Sequence, residues 1–174
     1  MSRTIIKPTG RESPYDHNEI IVSKTDLKGR ITYANDVFLR VSQYSAKEVM
    51  GAPHSIIRHP DMPRSVFKLL WDTIQAGEEI FAYVLNMARN GDHYWVFAHV
   101  TPTFDPNGAI TGYHSNRRKP SEAQISAITP IYQDLLKEER RPSNRKDGMQ
   151  SAGEMLVSLL RQRSISYDEF VFSL

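Results

Sequence analysis

In the run Ile57-Arg58-His59-Pro60-Asp61-Met62-Pro63, a guanidinium, an imidazole and a carboxylate follow one another with prolines between and after them. Pro60 disfavours a helical conformation at His59. Pro63 suits the first turn of a helix, where a missing N–H costs little. Asp61 can cap that helix by accepting from a backbone N–H two or three residues on. The run therefore reads as a stiff loop presenting Arg58 and His59 at a helix entrance, a place suited to an anionic or polar ligand edge. The plain alternative is a capped loop in which Arg58 pairs with Asp61.

Other polar residues stand out against their neighbours. Strand alternation puts Ile80, Ala82, Val84 and Asn86 on one face. A buried carboxamide there needs partners, because an unmade hydrogen bond costs roughly 1–3 kcal/mol. Asn86 either bonds backbone near the strand end or meets a ligand, and Asn35 either caps a helix or does the same. His54 and His59 can orient a ligand or serve structure alone. Phe67, Trp71, Trp95 and Phe97 read as core. A catalytic reading is weak. His59 and Asp61 are too close in sequence to form a base and its orienter, and no Ser, Thr or Lys nucleophile carries a motif. Nor is there an obvious third ligand beside them for a metal.

The totals narrow the class. With 174 residues, 40% hydrophobic and 24% charged, the chain can form one domain with an appendage. A net charge of +2 gives no electrostatic reason to expect nucleic acid. The absence of cysteine removes disulfides, thiolate chemistry, thiol–flavin adducts, Cys-ligated zinc and covalent c-type haem. No apolar run is long enough to cross a bilayer, and the start, from Met1 to Pro8, lacks the apolar stretch of a signal peptide. The expectation is a cytoplasmic protein with no direct membrane insertion, which docks on another chain if it serves a membrane process.

The elements that must position these residues follow from pattern. Residues 1–18 read as a loosely docked arm. Residues 19–23 and 30–34 are strands joined at Asp26-Leu27-Lys28-Gly29. Short helical pieces fill 35–58, with Asn35 as one cap and Ser45 with Glu48 as a capping box. Val66, Phe67, Leu70, Trp71 and Ile74 recur at helical spacing up to Gly77. Strands over 79–88, 93–101 and 109–117 are joined at Asn90-Gly91 and Asn107-Gly108. Ser121 opens a helix that Pro130 should kink or split. The chain divides into the arm (1–18), a sheet-and-helix domain (19–120), a flanking helix (121–139), a charged linker (140–153) and an amphipathic helical tail (154–174). The fold class is α+β: a five-stranded antiparallel sheet with helices packed on one face, the short ones enclosing a pocket.

This order resembles the PAS fold. Thr32-Tyr33-Ala34-Asn35-Asp36, Gly51-Ala52-Pro53-His54, Arg58-His59-Pro60-Asp61-Met62-Pro63 and Asn90-Gly91-Asp92-His93-Tyr94-Trp95-Val96 resemble the PAS sensor domain of bacterial aerotaxis (energy-taxis) receptors, from about residue 22 to about 138. The resemblance implies non-covalent FAD, with redox state reported by protein–protein contact. It places Asn35, His54, Arg58, His59, Asp61, Phe67 and Asn86 where the family holds or positions its flavin. The family often has Pro-Trp-x-Gly where this chain has Glu79-Ile80-Phe81-Ala82, so Ile80 stands in for a tryptophan near the flavin and Ala82 leaves less room. Leu85 replaces a common basic residue.

What the resemblance implies is a stand-alone, non-enzymatic redox or oxygen sensor. Its partner would be a chemoreceptor-type membrane signalling protein or a histidine kinase, and a homodimer is expected. FMN, haem or no ligand remain the alternatives to FAD, as does a PAS interaction module that binds no flavin. The polar edge of an isoalloxazine can satisfy the carboxamides of Asn86 and Asn35, and Arg58 can stabilise charge on a reduced ring or pair with a pyrophosphate.

Overall fold

Three tight turns set the sheet. In the first hairpin Asp26 Oδ1 accepts from the N–H groups of Lys28 and Arg30 at 2.8 and 2.9 Å. Gly29 there has φ +74°, and a Cβ on it would lie 2.9 Å from the Trp71 ring. This hairpin joins β1 (Ile21–Thr25) to β2 (Ile31–Ala34). Gly91, at φ +94°, closes the turn between β3 (Ile80–Met87) and β4 (His93–Phe104). Asp105 Oδ1 accepts from Asn107 and Ala109 in the turn before β5 (Ile110–Arg118). The strands pair antiparallel in the order β2-β1-β5-β4-β3, so the last strand of the sheet lies at its centre.

The computed structural model describes residues 6–174, and residues 1–5 of the expected arm lie outside them. Between β2 and β3 run α1 (Asp36–Ser42), α2 (Ala46–Val49), a 3₁₀ turn (His54–Ile57) and α3 (Arg64–Gln75). The Ser45–Glu48 capping box forms as the spacing requires. α3 turns Val66, Leu70 and Ile74 inward onto the sheet. After β5 come α4 (Glu122–Arg140), α5 (Arg145–Arg163) and α6 (Tyr167–Phe172).

Three expectations need correction. First, helices cover both faces. α3 and the short pieces lie on one, while α4 and α6 lie on the other: Tyr132 Oη donates to the Tyr83 carbonyl, and Phe172 rests on Phe81 and Phe97. Outward residues of β3 and β4 (Phe81, Tyr83, Trp95, Phe97) are largely aromatic, and such a surface cannot face water unaided. Second, most of the charged linker is helix, because α5 begins at Arg145 with Asn144 as its cap. Gly148 lets α5 approach α4 so closely that a Cβ would lie 2.0 Å from the Glu139 carbonyl oxygen. Third, the described part of the arm is firmly docked. It exchanges backbone hydrogen bonds with the β3–β4 hairpin, and Ser13 and Tyr15 are buried. Pro130 does not split α4, which runs unbroken through it.

The tail therefore belongs to the folded unit. Phe170 is 1% exposed and Val171 equally so. Phe170→Ala should cost about 3–5 kcal/mol in urea unfolding, the usual range for a fully buried phenylalanine. A loss under about 1 kcal/mol would mean that the tail is an appendage.

Candidate functional site

On the face of the sheet that meets α3, the alternating positions are not uniformly apolar. Val84 and Asn86 of β3, Ala98 and Val100 of β4, Ser115 and Arg117 of β5, and Ser23 of β1 all line one cavity. Phe67, Leu70, Trp71 and Ile74 of α3 form the facing wall, and His54, Ile57 and Arg58 close an end. The volume is about 310 Å³. That lies at the small end of known ligand pockets, enough for a planar ring system with its substituents outside. Its floor is apolar because Ala98 is short and Val84 and Val100 are hydrocarbon; its polar groups fall into two sets, Ser23, His54, Ser115 and Arg117 by β1 and β5, and Asn86 with Arg58 further along β3.

Arg117 organises the first set. It lies on the central strand, opposite Ile21 of β1 and Ala98 of β4, and is only 4% exposed. Its Nη2 donates to Ser23 Oγ and to His54 Nε2, each at 2.7 Å. Its Nη1 is buried with no partner, and no carboxylate lies within ion-pairing distance among the described residues. Burial holds its pKa down to about 10, so it remains a cation at neutral pH. A buried charge left unpaired costs several kcal/mol. Asn86 is similar in kind: 3% exposed, with Nδ2 unpartnered. Arg58 Nε and Ser115 Oγ are also buried and unpartnered, while the Arg58 guanidinium stacks 3.8 Å from the centre of the Phe67 ring. Five residues of one cavity, His114 with its Nε2 among them, thus hold buried polar atoms without a partner, where nearly all buried polar groups are normally satisfied.

The guanidinium can only donate, so His54 Nε2 accepts and the ring proton sits on Nδ1. Burial first, and the Arg117 charge second, push His54 down to about 3. It is a neutral acceptor that aims Arg117.

Of the sequence candidates, His54, Arg58, Phe67 and Asn86 come together in the cavity. Asn35 does not. Its Oδ1 accepts from Val22 and Phe38 N–H at 3.0 Å each, and its Nδ2 donates to the Ile20 carbonyl, so it is a saturated helix cap. His59 is buried on the other side of its loop, accepting from Asp61 N–H at 3.1 Å. Asp61 is exposed, pairs with Arg140 rather than Arg58, and does not cap α3. Glu139 of α4 does that work, accepting from Ser65 N–H at 2.8 Å. Ile80 is buried in the core on the inward face but is not part of the cavity lining, and Phe81 points to the opposite face. Neither fills the space.

Sequence reasoning missed Arg117, Ser115 and Ser23. The signal was available: with Tyr113 placed inward, a period of two sends Ser115 and Arg117 inward too. His114, beside Lys24 and Asn116, also lines the cavity, and its Nε2 is buried with no partner.

A family model described as PAS fold matches residues 31–117. The chain is 41% identical over 127 residues to the aerotaxis receptor of Escherichia coli (strain K12), covering 73% of this chain and 25% of that protein. It is 28% identical over 99 residues to the nitrogen fixation regulatory protein of Klebsiella pneumoniae, covering 57% and 20% respectively. The dark structure of the blue-light photoreceptor Aureochrome1 LOV matches with a TM-score of 0.57 at 25% identity, over 67% of this chain and 86% of that one. The chain spans only 25% and 20% of the length of the two curated relatives.

The His54–Arg117 contact has a pH signature. An unfolded histidine titrates near 6.5, whereas folded His54 refuses a proton until about 3. Below the unfolded value the unfolded state binds the extra proton, so stability falls as pH falls through that window. Between about pH 7 and about pH 5.5 this group should remove about 1 kcal/mol. His54→Asn keeps an acceptor and does not titrate. In urea unfolding its stability should decline less over that interval than the parent's; equal declines would place His54 in a solvated, ordinary environment.

Proposed function

The chain belongs to the PAS fold family, and from that premise we propose that it is a sensor module whose cavity holds the ring of a flavin, FAD in particular, without a covalent bond. The observation that carries this reading is the set of unpartnered donors lining an otherwise apolar space: Arg117 Nη1 and Ser115 Oγ on β5, and Asn86 Nδ2 and Arg58 Nε by the end of β3. The edge of an isoalloxazine offers adjacent carbonyl and ring-nitrogen acceptors, which is the complement those donors lack. The absence of cysteine rules out a thiol adduct.

A bound flavin supplies a ring whose charge and protonation change with reduction. The chain's own part is electrostatic. Arg117 and Arg58 each favour added negative charge on the part of the ring they meet. Asn86 fixes orientation through its carboxamide. His54, neutral and already accepting, has no proton to give from Nε2, so it sets the reach of Arg117 rather than its charge. When charge near Arg117 changes, its guanidinium shares its donors differently among Ser23, His54 and the ligand. Those partners sit on β1 and on the 3₁₀ turn, so the adjustment is felt across the centre of the sheet. Signalling then follows if the two states favour different packings toward a partner, a membrane chemoreceptor-type chain or a kinase.

Haem finds less support. The Nε2 of His54 is taken by Arg117 and Ser23. An unliganded interaction module leaves these buried polar atoms unexplained.

The purified full chain should show near-ultraviolet and blue absorption that bleaches with dithionite, or should acquire it on adding FAD. Asn86→Ala should weaken FAD binding about tenfold or more, as loss of a buried hydrogen bond implies, with far-ultraviolet circular dichroism unchanged. A colourless protein that takes up no flavin would sink the proposal.

A further inference from the structure

We propose that the crevice between the start of α3 and the α4–α5 corner is a phosphate site, contiguous with the ring cavity through Arg58, and that it takes the diphosphate of a dinucleotide. This rests on the flavin reading above and deepens it, because it separates FAD from FMN and riboflavin.

The crevice has a volume of about 450 Å³. Four arginines line it (Arg58, Arg64, Arg140 and Arg145) against one carboxylate, Glu139. That carboxylate is already committed: Oε1 accepts from the backbone at the start of α3, and Oε2 lies 3.4 Å from Arg64 Nε. Arg64 also donates to the Arg145 carbonyl at 2.8 Å, which locks the α3 start to the start of α5. Arg140 is paired with Asp61 at 3.3 Å, whereas neither Arg58 nor Arg145 has a carboxylate within ion-pairing distance among the described residues. Arg58 is held below the usual arginine range by burial and, next, by the like charge of Arg64. His59, also in the lining, is buried, and that burial holds it below the usual histidine range. Cations gathered in a concavity with too few anions favour a polyanion of matching size.

Continuity selects which anion. Arg58 lines both spaces, and its Nε is buried without a partner. A cavity of about 310 Å³ takes a ring system and leaves the rest of a dinucleotide outside it. A chain leaving past Arg58 meets the other three guanidiniums. Two of the four, Arg140 and Arg145, stand at the end of α4 and the start of α5, beyond the matched segment 31–117. The ligand would then bridge the PAS core and its C-terminal helices.

Equilibrium binding of riboflavin, FMN, FAD and ADP to the full chain tests this. Arg145→Glu is the main variant, at an exposed position, and Lys47→Glu on α2 controls for total charge. FAD should bind at least about tenfold tighter than riboflavin, ADP should compete with FAD but not with riboflavin, and Arg145→Glu should abolish the FAD advantage while leaving riboflavin affinity as it was. Lys47→Glu should change none of these. If riboflavin binds and FAD is no tighter, or if Arg145→Glu leaves their ratio unchanged, the phosphate site is wrong while the ring reading survives. If riboflavin does not bind, the ring reading fails. ADP binding lost in Arg145→Glu would then still support the phosphate site, and absence of ADP binding would overturn it.

Discussion

One buried cation sets the terms for the rest of the cavity. Arg117 lies on the middle strand, almost wholly buried, with two donors spent on Ser23 and His54 and no carboxylate to neutralise it. A guanidinium in that position is costly for a structure left empty and well suited to an electron-rich ligand edge. The surrounding choices are consistent with that. His54 is kept neutral and acts as an acceptor. Phe38 lends the face of its ring, 5.7 Å from the guanidinium carbon. Small and hydrocarbon side chains keep the remaining space open and apolar.

Holding the cavity open requires stiff walls on both sides of the sheet. On the inner side, Trp71 packs edge-on against Tyr113 at 5.5 Å, under a turn that only glycine can make at Gly29. On the outer side, Phe81 stacks on His99 and Phe97, and the tail lays Phe170, Val171 and Phe172 over the same strands. Residues of β3 thus read the cavity with one face and the tail with the other. Val84 and Asn86 line the ligand space, while Tyr83 and Phe81 touch α4 and α6. A strand in that position can relay a change in the cavity to the C-terminal helices without any large motion.

Much of this was legible from residue types and spacing. Turn chemistry at Gly29, Asn90-Gly91 and Asn107-Gly108 located the hairpins, and the helical period of Val66 to Ile74 located α3, because both signals are local. Asn86 stood out for the same reason, a carboxamide in an apolar row. The misses are of a different kind. Asn35 and Asp61 carry side chains equally good at capping and at ligand contact, and only tertiary placement decides between them. For α3 it was Glu139, distant in sequence, that took the cap. The charged stretch after Glu138 looked like a linker because its residues are mostly polar and its closest approach to α4 is through Gly148, which leaves no apolar mark. Arg117 was passed over because arginine is rarely buried, and a strand's phase must be fixed before its polar residues can be assigned a side.

The central claim is that Arg117 presents uncompensated positive charge to the ring in the cavity. Its most direct test is the reduction potential of bound flavin in the parent and in Arg117→Met, each checked for fold and flavin content. Losing a charge-assisted bond that favours the reduced ring should lower the potential by about 30–60 mV for a two-electron couple. An unchanged or raised potential, with flavin still bound, would contradict the account.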